Sequence, residues 1–133
     1  MTIEAITSLA SRYTAAWCSQ NASSVASFFE DQGSLTINGG APSTGRVAIT
    51  AAAQGFMTAF PDLVVRMDGL TQSGPRFVYR WTLTGTHGGP GGTGRKVHIS
   101  GFEEWEIGAS GLIANSLGHF DEADYSRQLA RSG

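Results

Sequence analysis

The sequence predicts an α+β fold in which a curved antiparallel sheet wraps around helices that come first in the chain. Three observations carry this expectation. Apolar residues recur at three- and four-residue spacing from Ile3 to Trp17 and again from Ile49 to Phe60, the period of amphipathic helices. From Asp62 the period changes to two, through four runs of strand-forming residues. Those runs are separated by Ser73-Gly-Pro, Gly88-Gly-Pro-Gly-Gly and Gly108-Ala-Ser-Gly111, the punctuation of an antiparallel meander.

The elements follow in order. Thr2 is placed to cap the first helix, whose apolar face is Ile3, Ile6, Leu9, Ala10, Tyr13, Ala16 and Trp17, with Glu4 near the positive end of its dipole. Gln20-Asn21 interrupts the pattern. Asn21 then caps a short second helix carrying Val25, Phe28 and Phe29. Leu35-Thr-Ile reads as a short strand, and Gly39-Gly-Ala-Pro-Ser as a loop. A third helix follows Gly45, with Ile49, Ala53, Phe56, Met57 and Phe60 on one face, and Pro61 ends it. Gly55 in its interior costs about 1 kcal/mol relative to Ala, which hints at close packing. The strands are Leu63 to Asp68, Phe77 to Thr86, Val97 to Ile107 and Leu112 to Phe120, and a C-terminal helix starts after Asp121. Most of the 18 glycines fall in turns, so they do not indicate disorder.

One domain over residues 1–133 accommodates these elements, and a chain of this length buries roughly two thirds of its unfolded surface. Hydrophobic residues at 41% and charged residues at 15% suit a water-soluble globular protein. The net charge is −2 and the basic residues are scattered without a stripe, which argues against a nucleic-acid partner. Cys18 stands alone, so there is no intramolecular disulfide, and a reducing compartment fits. No signal peptide is visible, and no stretch approaches the ~20 apolar residues that span a bilayer. The expectation is a cytoplasmic protein with no membrane partner.

Several motifs resemble a known family when taken together. They are Phe60-Pro61-Asp62 after an amphipathic helix, Thr84-Gly-Thr-His87 at a strand end and Gly94-Arg95 before a strand. Gly111-Leu-Ile, and Phe120-Asp121 followed by Arg127-Gln-Leu129, complete the set. Their order and spacing resemble the SnoaL-like polyketide cyclases, a family of the nuclear-transport-factor-2-like superfamily, over nearly the whole chain. The resemblance implies a cone-shaped α+β fold with a deep apolar pocket, a small hydrophobic ligand and a homodimer formed through the sheet. It does not fix an activity, because this fold hosts cyclases, isomerases, epoxide hydrolases and binding modules.

The resemblance also directs attention to particular residues. The family cyclases use an aspartate on the final strand as general acid/base, and matching back from Arg127-Gln-Leu129 puts that position on Gly118. Asp121 reads as an N-cap, followed as it is by Glu122 and Asp124. The related limonene-epoxide hydrolases carry an Arg and an Asp two residues apart, which here are Arg80 and Thr82. Asn38 matches an asparagine near the pocket in these relatives, and it equally suits a turn before Gly39-Gly40. Glu103 is the best remaining carboxylate. It alternates with Val97, Ile99, Gly101, Trp105 and Ile107 on an apolar face, where burial raises its pKa and poises it for proton transfer. The bland alternative is a solvated glutamate, or one paired with Arg80.

The strand from Phe77 to Thr86 stays open in one respect. Pattern alone puts Phe77, Tyr79, Trp81 and Leu83 inside. The resemblance puts Arg80 and Thr82 inside and leaves the aromatics outside, as a patch that requires a partner. Tyr13, Trp17, Phe56, Phe60, Thr82, Ile99, Trp105, Gly118 and Phe120 are candidate pocket residues, several of them equally good core residues. His87, His98 and His119 lack the spacing of a zinc site, and Gly88 to Gly94 lacks the Lys-Ser/Thr ending of a phosphate loop. No metal or cofactor is expected. The functional expectation is therefore a pocket protein that handles a small hydrophobic ligand. Glu103 is its candidate acid/base, Arg80 or Asn38 its charge-stabilising partner, and a non-catalytic binding module is the rival.

Overall fold

In a computed structural model, which describes residues 2–130, Thr2 caps the first helix as its position predicts. Its side chain accepts from the backbone N–H of Ala5 at 3.1 Å, and α1 runs Ile3–Cys18 with Ile6, Leu9, Ala10, Tyr13 and Ala16 buried. Residue 1 and residues 131–133 of the expected domain lie outside the described residues. Asn21 caps α2 (Ala22–Ala26) by accepting from Ser24 N at 3.2 Å. This helix is shorter than expected, because Phe29 opens a strand. The carbonyl of Phe28 accepts from Ile113 N at 2.9 Å and that of Phe29 from Arg46 Nε at 3.0 Å, so long-range pairing takes over a stretch with helical spacing.

The first strand, β1 (Phe29–Ile37), is correspondingly longer than Leu35-Thr-Ile. Part of the expected loop after it pairs back as β2 (Ser43–Thr44). Gly45 takes φ 88°, a conformation that favours glycine, and leads into α3 (Arg46–Ala59). Gly55 does not mark close packing. It is exposed, and a Cβ there would meet nothing within 4 Å.

Four long strands follow: β3 (Val64–Ser73), β4 (Arg76–Thr86), β5 (Lys96–Ile107) and β6 (Ile113–Phe120). The sheet order is β2-β1-β6-β5-β4-β3. The β3 to β6 pairs are antiparallel as expected, but β1 lies parallel to β6, so the sheet is mixed rather than wholly antiparallel. The whole meander separates β1 from β6 in sequence, and a connection that long allows either direction. Asp121 accepts from Asp124 N at 2.9 Å at the start of α4 (Glu122–Ala130), which is the cap its sequence position predicts. Among the described residues no helix is long and apolar enough to cross a membrane.

Burial decides which face of β4 looks inward. Phe77, Tyr79 and Leu83 are buried and Trp81 half-buried, while Arg80 is exposed. The alternation therefore holds and the orientation implied by the resemblance does not. Burying two large aromatic faces is favourable, whereas burying an unpaired guanidinium is costly. Arg80 lies on the outer face with its guanidinium carbon 5.9 Å from the Phe102 ring centre. Thr82 also belongs to that face, covered by Ser100 (2.8 Å) and donating to Asp68. The aromatic patch that would have required a partner is thus turned into the core.

Candidate functional site

Three cross-strand rows on the inner face build the floor and wall of a cavity between sheet and helices. One row runs Tyr79, Glu103, Gly118, Ile37, from β4 across β5 and β6 to β1. The next is Trp81, Gly101, Phe120, and the third is Leu83 with Ile99. Leu35 and Val65 extend this wall, and Trp17 of α1 with Ala52 and Phe56 of α3 face it. The space within the cavity open to a water-sized molecule is about 60 Å³, and beyond that the recess opens to solvent. Tyr79 and Glu103 are buried, while Trp17, Ile37, Phe56, Trp81 and Phe120 are only half-buried. The carboxylate thus belongs to the deep part of an otherwise apolar hole.

Glu103 sits inside because β5 alternates, and its surroundings hold it firmly. Its Oε1 accepts from Ser116 Oγ at 2.7 Å, Trp105 Nε1 at 2.9 Å and the Tyr13 hydroxyl at 3.1 Å. Its Oε2 receives only the same hydroxyl, at 3.2 Å, from the described residues. The donors are themselves fixed. The Tyr79 ring stacks on Trp105 with centroids 4.8 Å apart, and the Tyr13 ring meets Trp105 edge-on at 5.3 Å. Burial raises the Glu103 pKa above the ordinary carboxyl value, and the bonds from Trp105, Ser116 and Tyr13 pull against that rise. Burial, then the nearby Glu103 charge, pushes the Tyr13 phenol well above its usual range, so Tyr13 remains a neutral donor. Burial does the same to Tyr79, whose hydroxyl is bonded to Thr14.

Chemically, one oxygen of Glu103 is saturated and the other retains lone pairs beside an apolar space. No side chain at Gly118 stands in front of it. A Cβ there would lie 3.8 Å from Glu103 Cγ, an ordinary contact. A carboxylate so placed can take up and return a proton.

The candidate residues of the sequence divide into those on the wall and those elsewhere. Trp17, Phe56, Ile99, Glu103, Gly118 and Phe120 line the cavity. Tyr13 and Trp105 do not; they lie behind Glu103 as its hydrogen-bond donors, fully buried. Phe60 belongs to a second apolar cluster with Leu63, Val65 and Leu83, and its ring packs on His87 and Tyr125. Arg80 and Thr82 are on the outer face, by the parity of β4. Asn38 takes a left-handed turn (φ 51°), and its Oδ1 accepts from Phe120 N at 2.9 Å. It closes the end of the β1–β6 pair and does not line the cavity.

Tyr79, Trp81 and Leu83 line the wall as the alternation of β4 alone places them, against the orientation that the resemblance implies. Sequence reasoning missed Ser116, which shares the alternating face of Gly118. Of the histidines, His119 Nε2 is 2.8 Å from Glu104 Oε2 and its ring stacks on Phe102, on the outer face. Among the described residues no group of three His, Cys, Asp or Glu side chains is placed to hold a metal ion.

An α+β cone with a half-open mixed sheet around a deep apolar cavity is the architecture of the nuclear-transport-factor-2-like and ketosteroid-isomerase-like proteins, and solved structures agree. TsrD from Streptomyces laurentii matches with a TM-score of 0.82 at 21% identity, covering 98% of each chain. A candidate polyketide cyclase from Xanthomonas campestris pv. campestris gives 0.83 at 17% identity, over 96% of this chain and 98% of that one. A protein of ketosteroid isomerase-like fold from Catenulispora acidiphila, crystallised in complex with trimethylamine, gives 0.80 at 16% identity, over 99% and 96%. At these identities the likeness is one of fold. Among curated proteins none matches the chain. Residues 7–129 do match the profile of the SnoaL-like polyketide cyclases, and the chain belongs to that family.

Proposed function

We propose that the cavity binds a small, largely hydrophobic ligand and that Glu103 moves a proton on a carbon next to a carbonyl group. The observation that carries this reading is a buried carboxylate with one oxygen left available on an apolar wall. The C–H proton passes to Oε2 and the C–H electron pair moves toward the carbonyl oxygen. The proton is then returned at another carbon, which is isomerisation. Alternatively, the new carbon nucleophile attacks a second carbonyl and its alkoxide collects the proton, which is ring closure. The apolar wall strengthens the transfer, because a carboxylate poorly solvated there is a stronger base than one in water. Arg80 has no part in this scheme, since it faces away from the cavity.

A second reading is a binding module without chemistry. Two points favour it: the family resemblance puts the position of the catalytic aspartate on Gly118, and three donors already occupy Glu103 Oε1. Turnover on aromatic polyketide esters and enolisable ketones, compared between the native protein and Glu103→Gln, separates the two. Activity that falls at least a hundredfold in the variant while binding persists supports catalysis. Saturable binding without turnover in either protein rejects it. Work in the cytoplasm, and pairing of two copies through the outer face of the sheet, belong to the same proposal. The pairing rests on the family resemblance alone. A single monomeric species in sedimentation velocity at tens of micromolar would remove it.

A further inference from the structure

The cavity wall combines five aromatic rings with one carboxyl group. Trp17, Phe56, Tyr79, Trp81 and Phe120 line it from α1, α3, β4 and β6, and Glu103 is the single Asp, Glu, Lys, Arg or His among its lining residues. Aromatic residues are ordinary core material, but four of these five stay half-buried around a recess that opens to solvent. They meet in edge-on pairs, Trp17 with Phe56 at 6.3 Å and 71° and Trp81 with Phe120 at 6.1 Å and 66°. The rings therefore bound the recess from different directions. Glu103 is 8% exposed, and the hydrogen bonds it accepts come from the uncharged groups of Tyr13, Trp105 and Ser116. Arg80, the counter-charge that the sequence offered, lies on the outer face. A buried carboxylate ordinarily has a cationic partner, and the wall supplies none to this one.

We propose that the cavity receives a methylated ammonium group, whose positive charge is the missing partner of Glu103 and is held by the aromatic wall. The inference rests on the reading of this cavity as a ligand site and does not depend on Glu103 transferring a proton. A cation supplies the counter-charge, and in a poorly solvated space that attraction acts without direct contact. Aromatic rings attract a cation placed over them, more strongly where water is excluded. Hydrogen bonding then narrows the class. A primary ammonium would bring three N–H donors to a site where one carboxylate oxygen keeps lone pairs free, whereas methyl groups require no acceptor. The space of about 60 Å³ suits a compact head group, with the remainder of the molecule in the part that opens to solvent. Once the cation is in place it favours the ionised carboxylate, against the burial that raises the Glu103 pKa.

The test is calorimetry with choline, its uncharged carbon isostere 3,3-dimethylbutan-1-ol, and ethanolamine, on the native protein and on Glu103→Gln. In parallel, nuclear Overhauser contacts are sought in the native protein between the choline methyl protons and the rings of Trp17 and Phe56. The expected result is about tenfold tighter binding of choline than of either other probe, with those contacts present. In Glu103→Gln the advantage of choline over its isostere disappears. Choline no tighter than the isostere, or ethanolamine as tight as choline, overturns the proposal; a bound isostere then leaves the ligand cavity standing. An advantage that survives in folded Glu103→Gln, or bound choline without contacts to the two rings, overturns it as well. Failure of all three probes to bind overturns the cavity reading, and this proposal with it. The native comparison and the methyl contacts need no variant, so a Glu103→Gln protein that does not fold leaves the question decidable.

Discussion

Glu103 takes hydrogen bonds from Trp105, two residues along its own strand, and from Tyr13, 90 residues away in sequence. The first partner is readable from alternation; the second depends on how α1 lies across the sheet. Their net effect is a carboxyl that burial holds above its unfolded pKa of about 4.5 despite three donors. The sign of the pH dependence follows. Below the unfolded value both states keep the proton and the group contributes nothing. Between the unfolded and the folded value the unfolded chain has released the proton and the native chain has not, so stability falls as pH rises. Above the folded value the loss is constant. Glu103→Gln cannot titrate, so the melting temperature of the native protein relative to that variant should decline with increasing pH through this window. A difference that stays flat from acid to neutral pH would rule out a raised pKa. If Glu103 is the base, turnover rises with pH over the same range.

At the scale of elements, two glycines give opposite expectations. Gly55 is exposed in the interior of α3 with open space around its Cα. Gly55→Ala should stabilise by about 1 kcal/mol, through higher helix propensity and a less flexible unfolded chain. That corresponds to about 3–4 °C in Tm, measured by circular dichroism; a lowered Tm contradicts it. Gly101 is the reverse case. A Cβ there would overlap the His119 carbonyl and press on Trp81 Cζ2 and on Phe120 Cβ, at 2.7 and 3.0 Å. Gly101→Ala should cost about 1–3 kcal/mol in urea unfolding and should also move the Trp81 indole. A variant as stable as the native protein would show that the ring does not need this gap. The strand β4 teaches a related lesson. Its alternation placed Phe77 and Tyr79 inside correctly, while the analogy with epoxide hydrolases turned Arg80 inward, because a matching residue type carries no information about local strand parity.

At the scale of the whole molecule, the cavity exists because helices that come first in the chain are covered by a sheet that comes later. Its wall combines Trp17 of α1, Phe56 of α3 and inward residues of five strands. The parallel β1–β6 pair brings Ile37 beside Gly118 and closes the row that holds Glu103. Neither that pairing nor the length of β1 was legible, because its backbone is satisfied by residues 43–46 and by residues beyond 112. The start of β1 at Phe29 was hidden for the same reason: spacing favoured a helix, and hydrogen bonds from Arg46 and Ile113 decided otherwise.

By itself, the sequence determined the α+β class, the helix caps at Thr2, Asn21 and Asp121, and the inward placement of Glu103. These depend on periodicity and on side-chain-to-backbone bonds within a few residues, which a contiguous segment carries intact. Only the tertiary structure decided that Tyr13 and Ser116 bind Glu103, that Arg80 and Asn38 stay out of the cavity, and that the Trp81 ring packs over Gly101. Those facts depend on which distant segments meet, and that is set by how the layers pack rather than by any local pattern.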